Sequence, residues 1–458
     1  MRMLFYTIFA SILCLNIGVI AAGSKVHNSA PNRPWPAEPE TRDGTGFQTP
    51  LERIGKIAGT AGVLVVSLSS GETVLESRSE DSFIPASLMK LLTSYAALKK
   101  LGPSFRFTTR VMAAGEPVEG IISGDIWIKG SGDPLFTSDK AVELAKSIKD
   151  KGIREIRGGI FVDNSFFQPP SERICINADC RGAYNPLVSA AAIDFNTMRV
   201  RITPQPKKIR SHGAIGNGRQ QSQVSRRTRG GQPMDHLVRA QDPATLFAHA
   251  IKVALERSGV RVLGASATDA KTPPDAKEIA SYDSPPLAEL LSGLNKYSNN
   301  FMAEMLLRSL GGYMEGAPGN SAKGLAVIRT ALRESGISED ILELDCGSGL
   351  SRLCKVSPHT LCRLLAAVWN DNEIREEFIS SLAVNGEKGT LMKRMHKPGV
   401  TVRGKTGTLD DVIGFAGYVT GPSGRTFAAA IILNEVRDRF KARQAVDSLI
   451  EQVAFSDQ

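Results

Sequence analysis

Beyond Ala22, this chain of 458 residues has no apolar run long enough to cross a bilayer, which excludes a bundle of membrane-spanning helices. Histidine is scarce, at six residues, and none lies near Cys175 or Cys180. Those two cysteines also lack zinc-ligand spacing, so no metal site is expected. There is no internal repeat, which sets aside solenoids and propellers. Neither sign of charge dominates: 56 basic against 47 acidic residues give +9. That is the balance of an ordinary solvated basic surface. It could favour anionic wall polymers or a membrane surface, and it gives no reason to expect nucleic acid as a partner. The 42% hydrophobic and 22% charged content is that of a globular protein, and the length suggests two or three domains.

Residues 1–23 read as an export signal. Arg2 supplies a positive start, Leu4 to Ala22 is mostly apolar, and Ala21, Ala22 and Gly23 offer a cleavage point. Retention as an uncleaved anchor, with peripheral membrane association, is the alternative. No small-residue lipobox surrounds Cys14, and that cysteine would leave with the signal. Cys175, Cys180, Cys346, Cys354 and Cys362 remain, an odd number. Cys175 and Cys180 are close enough in a polar loop to close a small disulfide, and a leftover thiol is expected to be a buried structural cysteine. Their full pairing is left open by the sequence, as is the oligomeric state. Residues 24–46 carry Pro31, Pro34, Pro36 and Pro39 with few large apolar residues, the composition of a flexible spacer.

Ordered structure is expected from about Leu51. Gly62 to Leu68 is a strand run, Ser69-Ser70-Gly71 a turn, and Glu72 to Glu76 returns as a hairpin. From Ala86 the period changes: Leu88, Leu91, Leu92, Tyr95 and Leu98 recur at helical steps until Gly102-Pro103. Residues 106–279 read as a different body of short strands, such as Gly159 to Val162. Its stretch at 205–231 is polar and basic, with Arg226, Arg227 and Arg229, and reads as a mobile loop. Val402–Thr408, Val412–Val419 and Thr426–Leu433 are strand-like, and residues 437–454 form a last helix. If the early strands join these late ones, a single antiparallel sheet flanked by helices results, an α+β fold.

The chemistry lies in three short patterns. Ser87 and Lys90, in Pro85-Ala86-Ser87-Leu88-Met89-Lys90, place a hydroxyl and an amine one helical turn apart, so that they meet on one face. A serine hydroxyl needs a base within hydrogen-bond reach, and a lysine serves only if burial or a neighbouring cation lowers its pKa; Lys405 is a candidate neighbour. Ser298-Asn299-Asn300 precedes a helical run. Ser298 could relay a proton between Lys90 and a leaving group, and Asn300 could bond Lys90 and a substrate amide; taken alone, the triplet is an ordinary helix cap. Lys405-Thr406-Gly407-Thr408 lies on a strand. Lys405 and Thr406 could bind a carboxylate, Gly407 could let a substrate backbone approach, and the Thr408 N–H could form an oxyanion hole with that of Ser87. Each pattern alone is weak. Together, in this order and in helix, loop and strand contexts, they point to serine acyl transfer.

On these motifs the chain resembles the D-alanyl-D-alanine carboxypeptidase/endopeptidases of the penicillin-binding protein 4 type, peptidase family S13. Gly347-Ser348-Gly349-Leu350-Ser351-Arg352 and Gly389-Thr390-Leu391 look like further blocks of that family, and the similarity extends over residues 51–453. The long gap between Lys90 and Ser298 distinguishes this type from ordinary serine β-lactamases. Two departures stand out: Cys346 separates Asp345 from Gly347, which makes it a packing question, and the basic stretch at 205–231 is unlike the family pattern.

The resemblance implies a serine β-lactamase/transpeptidase-like domain at 47–105 and 280–458, with a mainly β inserted region at 106–279. It implies attack by Ser87 on a peptidoglycan stem peptide with Lys90 as base, no metal or organic cofactor, β-lactams as covalent inhibitors, and an exported, periplasmic enzyme. The rival readings are a β-lactamase and a catalytically decayed wall scaffold.

Overall fold

The computed structural model describes residues 48–169, 171–173, 187–203, 210–211, 234–339 and 341–456. The expected signal and spacer, Cys175 and Cys180, and nearly all of the basic stretch lie outside these residues. Among the described residues no helix is long and apolar enough to cross a membrane.

A six-stranded antiparallel sheet runs in the order Ala383–Val384, Thr401–Leu409, Val412–Thr420, Thr426–Val436, Ala58–Ser67, Thr73–Ser77. The early strands therefore do join the late ones, with Gly62 opposite Ile432 and Val66 opposite Ala428. Asp410 and Asp411 alone link two strands whose register closes at Leu409 opposite Val412, a two-residue hairpin loop.

Both faces of this sheet are covered, which explains why its central strands are apolar almost throughout. One face packs Val63, Val65, Phe415, Ile431 and Leu433 against Val446, Leu449, Ile450 and Val453 of the helix Arg439–Ala454. The other face receives the helix Pro358–Trp369, whose Cys362 sulfur lies 3.4 Å from Leu64 O, and whose Leu365 C=O accepts from the Tyr418 hydroxyl at 2.9 Å. The helix Met89–Leu101 is buried from Met89 to Leu98, as expected for a helix apolar on all sides.

The segment between Thr108 and Asp283 carries a second sheet with a core of its own. Its order is Ser266–Asp269, Ile160–Asp163, Ile126–Lys129, Thr108–Ala113, Lys277–Asp283. The first three strands run parallel and the last two pair antiparallel. Parallel neighbours need a crossover, and the helix Ser138–Asp150 supplies it between Ile126–Lys129 and Ile160–Asp163. With the helix Pro243–Arg257 it buries Leu144, Ile148, Phe247 and Ile251 against Ile126, Ile128, Ile160 and Val162. These two helices are an addition to the short strands read from the sequence. This segment touches the helix Asn300–Met314 through its turn at 130–134: Ser309 Oγ donates to Gly132 O at 3.3 Å and Tyr313 Oη to Ser131 O at 3.1 Å.

Candidate active site

The nucleophile segment begins with a tight turn. Ala86 takes a left-handed φ of +48°, Ala86–Leu88 form one 3-10 turn, and the α-helix starts at Met89. Two glycines let other elements close on that turn. A Cβ on Gly349 (φ +78°) would meet Ala86 O at 1.8 Å, and one on Gly407 would meet Pro85 O at 2.8 Å. Gly407 was expected to make room for substrate backbone; here it makes room for the nucleophile turn.

Ser87 is half-buried, while Lys90 is fully buried. Lys90 Nζ lies 2.9 Å from Ser87 Oγ, 2.8 Å from Asn300 Oδ1 and 2.6 Å from Ser348 O. Burial draws the Lys90 amine down from 10.5 to about 7, and it outweighs the opposite pull of Cys346 and Glu304. An amine poised there can take a proton from a hydroxyl near neutral pH.

The Ser298-Asn299-Asn300 triplet divides its work. Asn299 is a helix cap, its Oδ1 accepting from Met302 N at 3.1 Å. Ser298, at φ +58°, turns its hydroxyl to Lys405, whose Nζ lies 2.9 Å away, and Asn300 turns to Lys90. Ser298 was expected to relay a proton between Lys90 and a leaving group; the partner its hydroxyl meets here is Lys405. That lysine is fully buried, and burial followed by the charge of Lys90 holds its amine well below the usual lysine range. Its Nζ also donates to Thr406 O at 2.8 Å. Thr406 and Gly407 are buried and Thr408 is exposed, opposite Ile413 in the strand pair. Ser87, Lys90, Ser298, Asn300 and Lys405 are brought together through these bonds, and Gly407 packs on the same turn.

Two participants were missed. Glu304 is buried one turn after Asn300 on the same helix, and its Oε1 accepts the Ser348 N–H at 2.8 Å. Ser348 in turn offers its C=O to Lys90. Thr93, one turn after Lys90, holds the same loop by donating to Gly347 O at 2.9 Å. The available signal was the spacing: Glu304 lies four residues after Asn300 and Thr93 three after Lys90, so each shares a face with a site residue. Cys346 is a packing sulfur, as expected. It is buried and accepts from Gly349 N at 3.2 Å and Ser351 N at 3.4 Å.

The fold matches a crystal structure of penicillin-binding protein 4 (DacB) from Haemophilus influenzae at a TM-score of 0.75, with 22% identity over 88% of this chain and 99% of that one. A predatory endopeptidase from Bdellovibrio bacteriovorus matches at 0.55, with 16% identity over 87% and 94% of the two chains. In sequence, the chain is 30% identical to a D-alanyl-D-alanine carboxypeptidase of Actinomadura sp. strain R39 over 82% of this chain and 77% of that protein. It is 24% identical to the D-alanyl-D-alanine carboxypeptidase DacB of Haemophilus influenzae over 81% and 85%. The model of one family matches residues 51–230 and 219–453, nearly the whole of the described fold, and the chain accordingly belongs to the D-Ala-D-Ala carboxypeptidase 3 (S13) family.

Proposed function

We propose that this protein is an exported serine D-Ala-D-Ala carboxypeptidase acting on peptidoglycan stem peptides, and that β-lactams acylate it. The observation that carries this reading is the buried Lys90 amine, drawn to about 7 and 2.9 Å from the half-buried Ser87 hydroxyl. Ser87 Oγ attacks the carbonyl of the penultimate D-Ala while its proton passes to Lys90 Nζ. The N–H groups of Ser87 and Thr408 receive the developing oxyanion. The C–N bond breaks, and the terminal D-Ala amine takes a proton from Ser298, whose hydroxyl Lys405 holds and which the Lys90 ammonium reprotonates, leaving Lys90 neutral. Lys405 and Thr406 meet the substrate carboxylate, Gly407 brings the strand to the nucleophile turn, and Asn300 orients Lys90 and the substrate amide. Water then attacks the Ser87 ester, giving a proton to the neutral Lys90 Nζ, which returns it to Ser87 Oγ as the acid product leaves. In this reading residues 47–105 and 280–458 are the catalytic domain and 106–279 the inserted region that shapes its groove. Cross-link endopeptidase action would use the same residues on a longer substrate.

The test is release of D-Ala from a synthetic stem pentapeptide. The native chain should release it, Ser87→Ala should not, and a chromogenic cephalosporin should turn over only slowly. D-Ala release by Ser87→Ala overturns the assignment. Fast cephalosporin turnover without D-Ala release identifies a β-lactamase instead.

A further inference from the structure

The loop that accepts the Lys90 hydrogen bond is framed by two cysteines. Cys346 precedes Gly347-Ser348-Gly349-Leu350-Ser351, and Cys354 follows it. Both side chains are buried, and their sulfurs are 3.6 Å apart. The backbone pins the two ends of the loop together: Glu343 N donates to Lys355 O at 3.0 Å and Lys355 N to Glu343 O at 2.8 Å, an antiparallel bridge just outside the pair. A bond between the sulfurs needs an approach of about 1.5 Å, within reach of side-chain rotation on a fixed backbone. The Cys346 sulfur already receives the N–H groups of Gly349 and Ser351, so its position sets that of the loop. The loop in turn places Ser348 O on Lys90 and seats Gly349 against Ala86 O, beside the nucleophile. Cys362 is remote from the pair in its contacts, held between Leu64 O and Ala428 O.

We infer that Cys346 and Cys354 form a disulfide after export, and that this bond is a positioning element for Lys90. The inference rests on the reading of an exported acyl-transfer enzyme. The chemistry is thiol–disulfide exchange with a disulfide donor of the dithiol-oxidase class or with an oxidised small thiol. The thiolate of one cysteine attacks the donor, forming a mixed disulfide and releasing one thiol. The second cysteine, as its thiolate, displaces the remaining donor sulfur. Two electrons pass to the donor, whose two thiols carry away the two protons. Because both sulfurs are buried in the folded loop, exchange takes place before the loop packs. The bond also accounts for the odd cysteine, which is then Cys362.

The full chain, exported to an oxidising compartment, should be alkylated under denaturing, non-reducing conditions and mapped by mass spectrometry. The expected result is a Cys346–Cys354 linked peptide pair that reduction separates, with Cys362 singly alkylated. Free alkylated Cys346 and Cys354, or Cys346 linked to Cys175 or Cys180, overturns the bond whatever the enzyme's activity. For the positioning role, acylation by a fluorescent penicillin is compared between the oxidised chain, the same chain reduced, and Cys354→Ala. A loop displaced by on the order of 1 Å should slow acylation by roughly tenfold to a hundredfold. Water entering the loosened site should also move the pH midpoint upward. The titratable groups facing Lys90 are Cys346 from the loop, Glu304 from its helix and Lys405 from its strand. Glu304 and Lys405 remain in all three forms, but Cys346 is a free thiol in the reduced chain and in Cys354→Ala, where its charge also draws the Lys90 pKa up. The midpoint therefore moves on either account, and the alkaline plateau rate, where Lys90 is neutral, reads the positioning. An unchanged plateau rate in both the reduced chain and Cys354→Ala overturns the positioning role.

Discussion

Acylation of Ser87 should follow the titration of Lys90. The base must be neutral to accept the serine proton, so the rate should fall on the acidic side and level off on the alkaline side. An ordinary lysine amine titrates at 10.5, whereas burial brings Lys90 to about 7. At pH 7 about half of the molecules then carry the neutral base, against roughly three in ten thousand for an unburied amine, a gain on the order of a thousandfold in available base. At pH 6 about a tenth of the plateau rate should remain. The same burial has a cost in stability. The unfolded chain binds this proton up to about 10.5 and the folded chain only up to about 7, so the contribution of Lys90 to stability rises with pH between those values. The assay is stopped-flow acylation by a chromogenic or fluorescent β-lactam from pH 5 to 10. A midpoint between about 6 and 8 is expected. A midpoint near 10, or a rate that falls as pH rises through 7, would refute the assignment of Lys90 as the base.

Three further outcomes follow from the same geometry. Glu304→Gln should keep an acceptor for Ser348 N while removing a charge that raises the Lys90 pKa, so the acylation midpoint should move to lower pH; an upward move contradicts the electrostatic role. Gly349→Ala puts a side chain at φ +78° and 1.8 Å from Ala86 O; thermal unfolding should show a loss of about 1–3 kcal/mol from the backbone strain alone, with acylation lost as the nucleophile turn shifts. Ser298→Ala should reduce kcat for D-Ala release by roughly a hundredfold to ten-thousandfold, the usual contribution of positioned proton transfer, and a native kcat would remove Ser298 from the proton path.

What could be read from the sequence was whatever is local or periodic. Ser87 and Lys90 meet because three residues make nearly one helical turn, and the Asp410-Asp411 hairpin and the last helix follow from short-range patterns. Closure of the sheet was inferred from the need of two apolar strand groups for partners, and Gly62 opposite Ile432 is that pairing. What was hidden depends on contacts between distant segments. The bond of Asn300 to Lys90 was expected and is present, but nothing local in Ser298-Asn299-Asn300 says that its serine turns to Lys405. The role of Glu304 rests on the Ser348 N–H brought to it by tertiary packing. The helix Ser138–Asp150 was passed over although Ala141, Leu144, Ala145 and Ile148 recur at helical spacing. Only the parallel order of the strands beside it shows why a crossover helix is needed there.

The central claim is that Ser87 is the nucleophile. Residues 24–458 incubated with a fluorescent penicillin, then digested and mapped by mass spectrometry, test it most directly. The label is expected on the peptide carrying Ser87, and Ser87→Ala should carry none. Folded protein that takes no label, or that takes it on another residue, would contradict the account.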